Sequence, residues 1–131
     1  MAEKTIVIVD DEAIIVLALK QELQRAFGNE YFYESALNAQ EAHDLIEETA
    51  ADGGKIALII TDWLMPGTRG DQFIREVHLQ HPEIPFVVIT GHADEAAVER
   101  LESHARLDGF IRKPWGAEEL VETVRGVLDV V

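Results

Sequence analysis

Five residues carry the chemistry in this chain: the acids Asp10, Asp11 and Asp62, the hydroxyl of Thr90 and the ammonium of Lys113. Each stands at or just after the end of a short apolar run: Ile6-Val7-Ile8-Val9 before Asp10, Ile56 to Thr61 before Asp62, Phe86-Val87-Val88-Ile89 before Thr90, and Leu107 to Ile111 before Lys113. Clustered carboxylates cannot all ionise cheaply without a cation. Hard oxygen ligands with open positions suit Mg²⁺, which binds through one or two carboxylates and keeps water or phosphate oxygens in its remaining positions. A lysine can pair with a phosphate oxygen and a threonine hydroxyl can hydrogen-bond another. In that setting Asp62 is the nucleophile, a carboxylate that forms an acyl phosphate, with the lysine and the metal neutralising charge on the transferring group. Singly, each residue has an ordinary reading. Asp10-Asp11 could cap the following helix, Asp62 could form a turn, Thr90 could be a plain strand residue and Lys113 a surface lysine. Their joint placement at strand ends points to chemistry.

The elements that must position them follow from the hydrophobic pattern. Thr5 to Val9 is β-branched and apolar throughout, as in a strand buried on both faces. Val16, Leu19, Leu23 and Phe27 form one helical stripe, ended by Gly28-Asn29. Glu30 to Ala36 reads as a weaker second strand. Asn38 with Glu41 reads as a capping-box variant opening a helix through Ala42, Leu45, Ile46 and Thr49 to the break at Gly53-Gly54. The third strand, Ile56 to Thr61, runs into a loop containing Pro66, Gly67 and Gly70. Phe73, Ile74 and Val77 mark a third helix that ends before Pro82. After the fourth strand, Asp94 caps a helix with an alanine-rich stripe, Ala97, Leu101 and Ala105. Leu107 to Ile111 is a short fifth strand. The last helix starts near Gly116, carries Glu118 and Glu119 where the helix dipole favours acids, and buries Leu120, Val124, Val127 and Leu128.

Five strand–helix units predict one α/β domain over residues 1–131: a doubly wound, five-stranded parallel sheet with five helices on its two faces and strand order 2-1-3-4-5. Strands one and three are then neighbours at the switch point, where Asp10, Asp11 and Asp62 meet.

Composition narrows the function classes. The formal charge of −14 repels phosphate backbones, so direct nucleic-acid binding is not expected. The absence of cysteine excludes disulfides and thiolate chemistry. No apolar run reaches membrane-spanning length, and no signal segment precedes the first strand, so a cytoplasmic location and no membrane contact are expected. His43, His78, His81 and His104 read as solvated, and Trp63 as a loop residue shielding the site.

From Ile6-Val7-Ile8-Val9-Asp10-Asp11-Glu12 through Asp62-Trp63-Leu64-Met65-Pro66-Gly67 and Val88-Ile89-Thr90-Gly91 to Lys113-Pro114-Trp115, the chain resembles the receiver domains of two-component response regulators, of the chemotaxis type with a flavodoxin-like fold. The resemblance implies that Asp62 accepts a phosphoryl group from a histidine kinase or histidine phosphotransfer protein. It implies Mg²⁺ held by Asp11 and Asp62 directly, by Asp10 through water and by the backbone carbonyl of Leu64. Thr90 and Lys113 would bind the phosphoryl group, and the Lys113–Pro114 bond would be cis. Signalling would pass through the face made by the fourth helix, fifth strand and fifth helix to a downstream partner or fused output domain, and the family admits a phosphorylation-dependent dimer. Such a domain is no enzyme beyond catalysing its own phosphorylation and slow dephosphorylation.

The chain departs from the family pattern at three places. Phe110, at the aromatic switch position, lacks a hydroxyl. Trp115 stands where Phe is usual, which predicts a larger exposed apolar surface on the output face. Leu64, two residues past Asp62, is apolar where many relatives are polar; it and His92 flank the expected water path and are the candidates for control of dephosphorylation. Two alternatives compete. A phosphorylation-independent pseudo-receiver is disfavoured by the complete residue set. A haloacid-dehalogenase-like phosphohydrolase is disfavoured because that family wants its acids two apart after the first strand, whereas Asp10 and Asp11 are adjacent.

Overall fold

The computed structural model describes residues 4–62, 64–65, 68–91 and 108–130. Chain order is β1 (Lys4–Val9), α1 (Ala13–Phe27), β2 (Phe32–Ala36), α2 (Ala39–Ala51), β3 (Lys55–Thr61), β4 (Leu64–Met65), β5 (Thr68–Arg69), α3 (Gly70–Gln80), β6 (Phe86–Thr90), β7 (Gly109–Arg112) and α4 (Ala117–Val130). The five long strands form one sheet in the order β2-β1-β3-β6-β7, parallel throughout. This is the expected 2-1-3-4-5 arrangement. Four α-helices fall among the described residues; the helix expected over Asp94 to Ala105 lies outside them.

Strand residues alternate between two cores. Val7, Val9, Ile59, Phe86 and Val88 face one way and pack with α2 and α3 side chains such as Ala42, Ile46, Phe73 and Val77. Ile6, Ile8, Leu58, Ile60, Val87, Ile89 and Ile111 face the other way, against Val16, Leu19, Leu23, Leu120 and Val124 of α1 and α4. The period-two alternation of a strand buried on both faces makes a continuous apolar run serve two layers at once. At β7 the fit with α4 requires glycine, because a Cβ on Gly109 would stand 2.8 Å from the Thr123 methyl.

The helix ends follow the sequence signals. Asn38 accepts the Glu41 N–H at 2.8 Å, and the Glu41 carboxylate accepts the Leu37 N–H at 3.0 Å, a capping exchange that opens α2. Helix α1 stops at Gly28, whose φ of 57° only glycine adopts freely. The Tyr33 hydroxyl donates to the Gly28 carbonyl at 2.9 Å, and so satisfies a backbone acceptor left over at that end.

Several local expectations change. The second strand starts at Phe32, not Glu30, because Gly28–Glu30 form a 3₁₀ turn that carries the chain off α1. Within it Phe32 is exposed, while Tyr33, and Tyr31 just before the strand, pack on the α1/α4 core. The loop after Asp62 contains a small antiparallel hairpin, with Leu64 opposite Arg69 and Met65 opposite Thr68. The fifth long strand is Gly109–Arg112, shifted from Leu107–Ile111, since Gly109 is the position at which the chain comes level with Val87.

Candidate functional site

Parallel register assembles the acids. Val9 and Thr61 are partners at the ends of β1 and β3, so the residues that follow, Asp10 and Asp62, emerge side by side. The ladder continues one step beyond the strands: Asp62 N–H donates to the Val9 carbonyl at 3.0 Å and Asp10 N–H to the Ala36 carbonyl at 3.2 Å. The two carboxylates are thus held by backbone pairing. Both residues are buried, Asp10 completely. Asp11 is exposed beside them, and oxygens from all three carboxylates lie within 4.8 Å of one another.

Lys113, one residue past β7, supplies the opposing charge. Its ammonium donates to Asp10 Oδ2 at 2.9 Å and to Asp62 Oδ2 at 3.2 Å. The other oxygen of Asp10 accepts the Glu12 N–H at 2.9 Å. Asp10 therefore steadies the turn into α1 without being its N-cap residue; Glu12 takes that place, with no side-chain cap. Burial raises the Asp10 pKa above the usual carboxylate value. The hydrogen bonds from Glu12 and Lys113 oppose that shift, and the charge of Asp62 reinforces it. For Lys113, burial alone would lower the pKa, but the hydrogen bond to Asp10 and the charges of Asp62 and Asp10 outweigh it and raise the pKa.

Three carboxylates against one ammonium leave a deficit of positive charge in a partly desolvated crevice at the carboxyl ends of the strands. That donor set, hard oxygens of which one is open to solvent, fits a divalent cation such as Mg²⁺. Thr90 ends β6, its backbone paired with Arg112 of β7, and Thr61 is level with Val88. Thr90 therefore stands on the same edge of the sheet as Asp62 and Lys113.

Family comparison agrees with this geometry. The chain matches the response regulator receiver domain over residues 6–125. It belongs to that family. This receiver domain is 36% identical over 131 residues to the phosphate regulon transcriptional regulatory protein PhoB of Pseudomonas aeruginosa, covering 98% of this chain and 53% of PhoB. It is 30% identical over 125 residues to the sensor kinase CckA of Brucella abortus, covering 95% of this chain and 12% of CckA. The chain thus spans about half or less of these relatives. A crystal structure of a CheY-like response regulator receiver domain protein from Methanospirillum hungatei superposes with a TM-score of 0.82 at 29% identity, over 98% of this chain and 96% of that one. Receiver domains belong to two-component signalling and are not classical enzymes.

The fold brings Asp10, Asp11, Asp62 and Lys113 of this receiver domain together, and its Lys113–Pro114 bond is cis. Leu64 opens the hairpin that follows Asp62. Phe110 is half-buried against the α2/α3 core, with the Arg112 guanidinium 5.7 Å from its ring centre. Trp63, His92 and His104 lie outside the described residues. Trp115 does not enlarge an exposed apolar surface: its ring packs on the α1/α4 core and its indole N–H donates to Glu22 Oε2 at 2.6 Å. The histidines are also less solvated than their helical positions suggest. His43 pairs with Glu76 at 3.1 Å and meets Phe73 edge-on at 5.1 Å. His81 pairs with Glu47 at 3.3 Å, and Nδ1 of His78 is buried without a hydrogen-bond partner. Glu22 carried no signal of its own in the sequence. The clue was on its partner, since a half-buried tryptophan needs an acceptor for its N–H.

No helix among the described residues is long and apolar enough to cross a membrane.

Proposed function

We propose that this receiver domain takes a phosphoryl group onto Asp62 from a histidine kinase or histidine phosphotransfer protein, in the presence of Mg²⁺, and uses it to switch a protein-binding face. The observation that carries the reading is the Asp62 carboxylate itself. It is buried at the end of a central strand, flanked by two further acids, with an ammonium 3.2 Å from its Oδ2. A carboxylate oxygen of Asp62 attacks the donor phosphorus and forms the new O–P bond. The N–P bond to the donor imidazole breaks, and its electron pair stays on the imidazole nitrogen. Lys113 meets charge on the incoming phosphoryl oxygens, and Thr90 would donate its hydroxyl to another. Asp10, Asp11, Asp62 and the Leu64 carbonyl would hold the metal. When bound, Mg²⁺ supplies positive charge that offsets the crowding of anions.

The switching face would comprise β7, α4 and the segment between Thr90 and Gly109, with Phe110 as the aromatic element that follows Thr90. A cytoplasmic kinase–regulator pathway, with a downstream partner, a fused output domain or a second phosphorylated copy on that face, completes the reading. Acetyl phosphate with Mg²⁺ should add one phosphoryl group, seen by intact mass, and Asp62→Asn should abolish it. An adduct that survives Asp62→Asn sinks the assignment. Leu64, two residues past Asp62, offers no hydrogen-bonding side chain to orient an attacking water, so slow loss of phosphate is expected. Leu64→Asn should speed the first-order decay roughly tenfold by adding a water-positioning group. Equal decay in both forms would release Leu64, and leave His92, from this role.

A further inference from the structure

The segment between β7 and α4, residues 113–116, places the Lys113 ammonium, and its own means of attachment are few. Pro114 has no N–H, Gly116 has no side chain, and the four-carbon stem of Lys113 is flexible. Besides the Lys113 ammonium itself, Trp115 reaches another element from this segment. Its ring packs on the α1/α4 core, and its indole N–H donates to Glu22 on α1 at 2.6 Å. A bond from an N–H to a carboxylate is charge-assisted and about twice as strong as one between neutral groups.

Glu22 lies nine residues beyond Ala13, the first residue of α1, about 14 Å along the helix at 1.5 Å per residue. The start of that helix is tied to Asp10 through the Glu12 N–H, and Asp10 is tied to Lys113. Helix α1 and the Lys113 segment are therefore joined twice, by Asp10–Lys113 at the acid cluster and by Glu22–Trp115 farther along the helix. The second joint fixes the backbone that carries Lys113 while the first is exchanged for phosphoryl contacts. A phenylalanine could fill the ring's place in the core but could not make this bond.

We propose that Glu22 and Trp115 act as a positioning pair: their hydrogen bond holds Lys113 at the distance from Asp62 that phosphoryl acceptance needs. The proposal rests on the reading of Asp62 as acceptor and adds to it a residue on α1 remote from the acids. Neither Glu22 nor Trp115 touches the reacting atoms.

The test is a double-mutant cycle on the rate at which acetyl phosphate with Mg²⁺ loads Asp62, with Glu22→Ala, Trp115→Phe and both together. Melting curves run alongside establish that each variant is folded. Each single change should slow loading about three- to tenfold, a fraction of the hundredfold that one ångström of misplacement can cost. The double variant should be no slower than the slower single one, and Glu22→Gln, which keeps an acceptor oxygen, should recover most of the rate. The indole N–H resonance of Trp115, assigned in a Trp63→Phe background, should lose its hydrogen-bonded position in Glu22→Ala and keep it in the presence of beryllofluoride and Mg²⁺ when Glu22 is intact. Wild-type rates in Glu22→Ala, additive losses in the double variant, or an indole resonance that leaves its hydrogen-bonded position on adding beryllofluoride would each overturn the pair. A wild-type protein that takes up neither phosphoryl nor beryllofluoride would instead overturn the acceptor reading, and the pair's role with it.

Discussion

At the carboxyl edge of the sheet Lys113 faces Asp10 and Asp62, whose side chains are 0% and 9% exposed. Across the seam between α2 and α3, His43 faces Glu76, and His81 faces Glu47, with the glutamates 47% and 61% exposed. Both sets join elements distant in sequence at similar N–O distances. They differ in solvation and in stoichiometry. The seam sets Glu76 beside His43, and both Glu47 and Glu83 beside His81, with every glutamate open to water, where attraction is screened and each pair holds two side chains at an entropic cost. The edge sets three acids, two of them buried, against the Lys113 ammonium, so the buried charges there feel one another strongly. A short ion pair is thus no measure of stability. At the edge the acids are in excess where two of them are buried, a donor set that fits a cation, whereas the acids of the seam are solvated.

Removing the ammonium should have the largest effect on stability. Lys113→Ala leaves buried carboxylates uncompensated, and breaking such a pair costs about 3–5 kcal/mol when fully buried. With Lys113 partly open to solvent, a loss near about 3 kcal/mol is expected in metal-free protein at pH 7, and added Mg²⁺ should restore part of it. The pH dependence has a definite sign. Because the pKa of Lys113 is raised in the fold, its contribution is fully present below the ordinary value of 10.5 and is lost as pH rises through the folded value. The gap between wild type and variant should therefore hold to that ordinary value and close above it. Denaturant unfolding in chelator and in Mg²⁺ checks both points. A loss no larger than that of a surface pair would erase the contrast between the two regions.

Asp10→Asn should move stability the other way, by a smaller amount. Burial raises the pKa of Asp10, so the fold prefers its neutral form. Its proton-linked stability is present below 3.8, its ordinary value, and is lost as pH climbs through the raised folded pKa. The variant should match wild type in acid and melt a few degrees higher at pH 7 in chelator, while binding Mg²⁺ more weakly. A variant less stable than wild type in metal-free buffer at pH 7 would mean that the Lys113 and Glu12 contacts outweigh desolvation.

How much of this was legible depends on the range of the interaction. The runs Ile6–Val9 and Phe86–Ile89 announce strands buried on both faces because burial acts on every residue in turn. The acid pair was legible for the same reason: Asp10 and Asp62 each follow such a run directly, and parallel register does the rest. The Asn38–Glu41 cap is local and was readable. The bond from Lys113 to Asp10 spans 103 residues, and sequence type pointed Lys113 only toward a phosphate. Trp115 was misjudged because its apolar surface is visible in the sequence whereas its acceptor, Glu22, stands 93 residues away. The hairpin at Leu64 to Arg69 has strands of two residues each, too short for any period to register.

The smallest effect should lie in the seam. Glu76→Gln keeps the size of the side chain and leaves the edge contact between His43 and Phe73 undisturbed, so it isolates the charge on Glu76. Exposed pairs contribute about 0.2–1 kcal/mol, and this one should fall in the lower half of that range. Its worth should shrink further between 0.1 M and 1 M salt, as the screening length drops from about 10 Å to about 3 Å. Loading of Asp62 by acetyl phosphate should not change, because no charge at the carboxyl edge has been altered. The measurement is a cycle of Glu76→Gln and His43→Gln by denaturant unfolding at both salt concentrations. A coupling comparable to the loss in Lys113→Ala, or one indifferent to salt, would show that the seam is as desolvated in effect as the edge. Solvation would then not distinguish a pair that joins two helices from a cluster whose donors fit a cation.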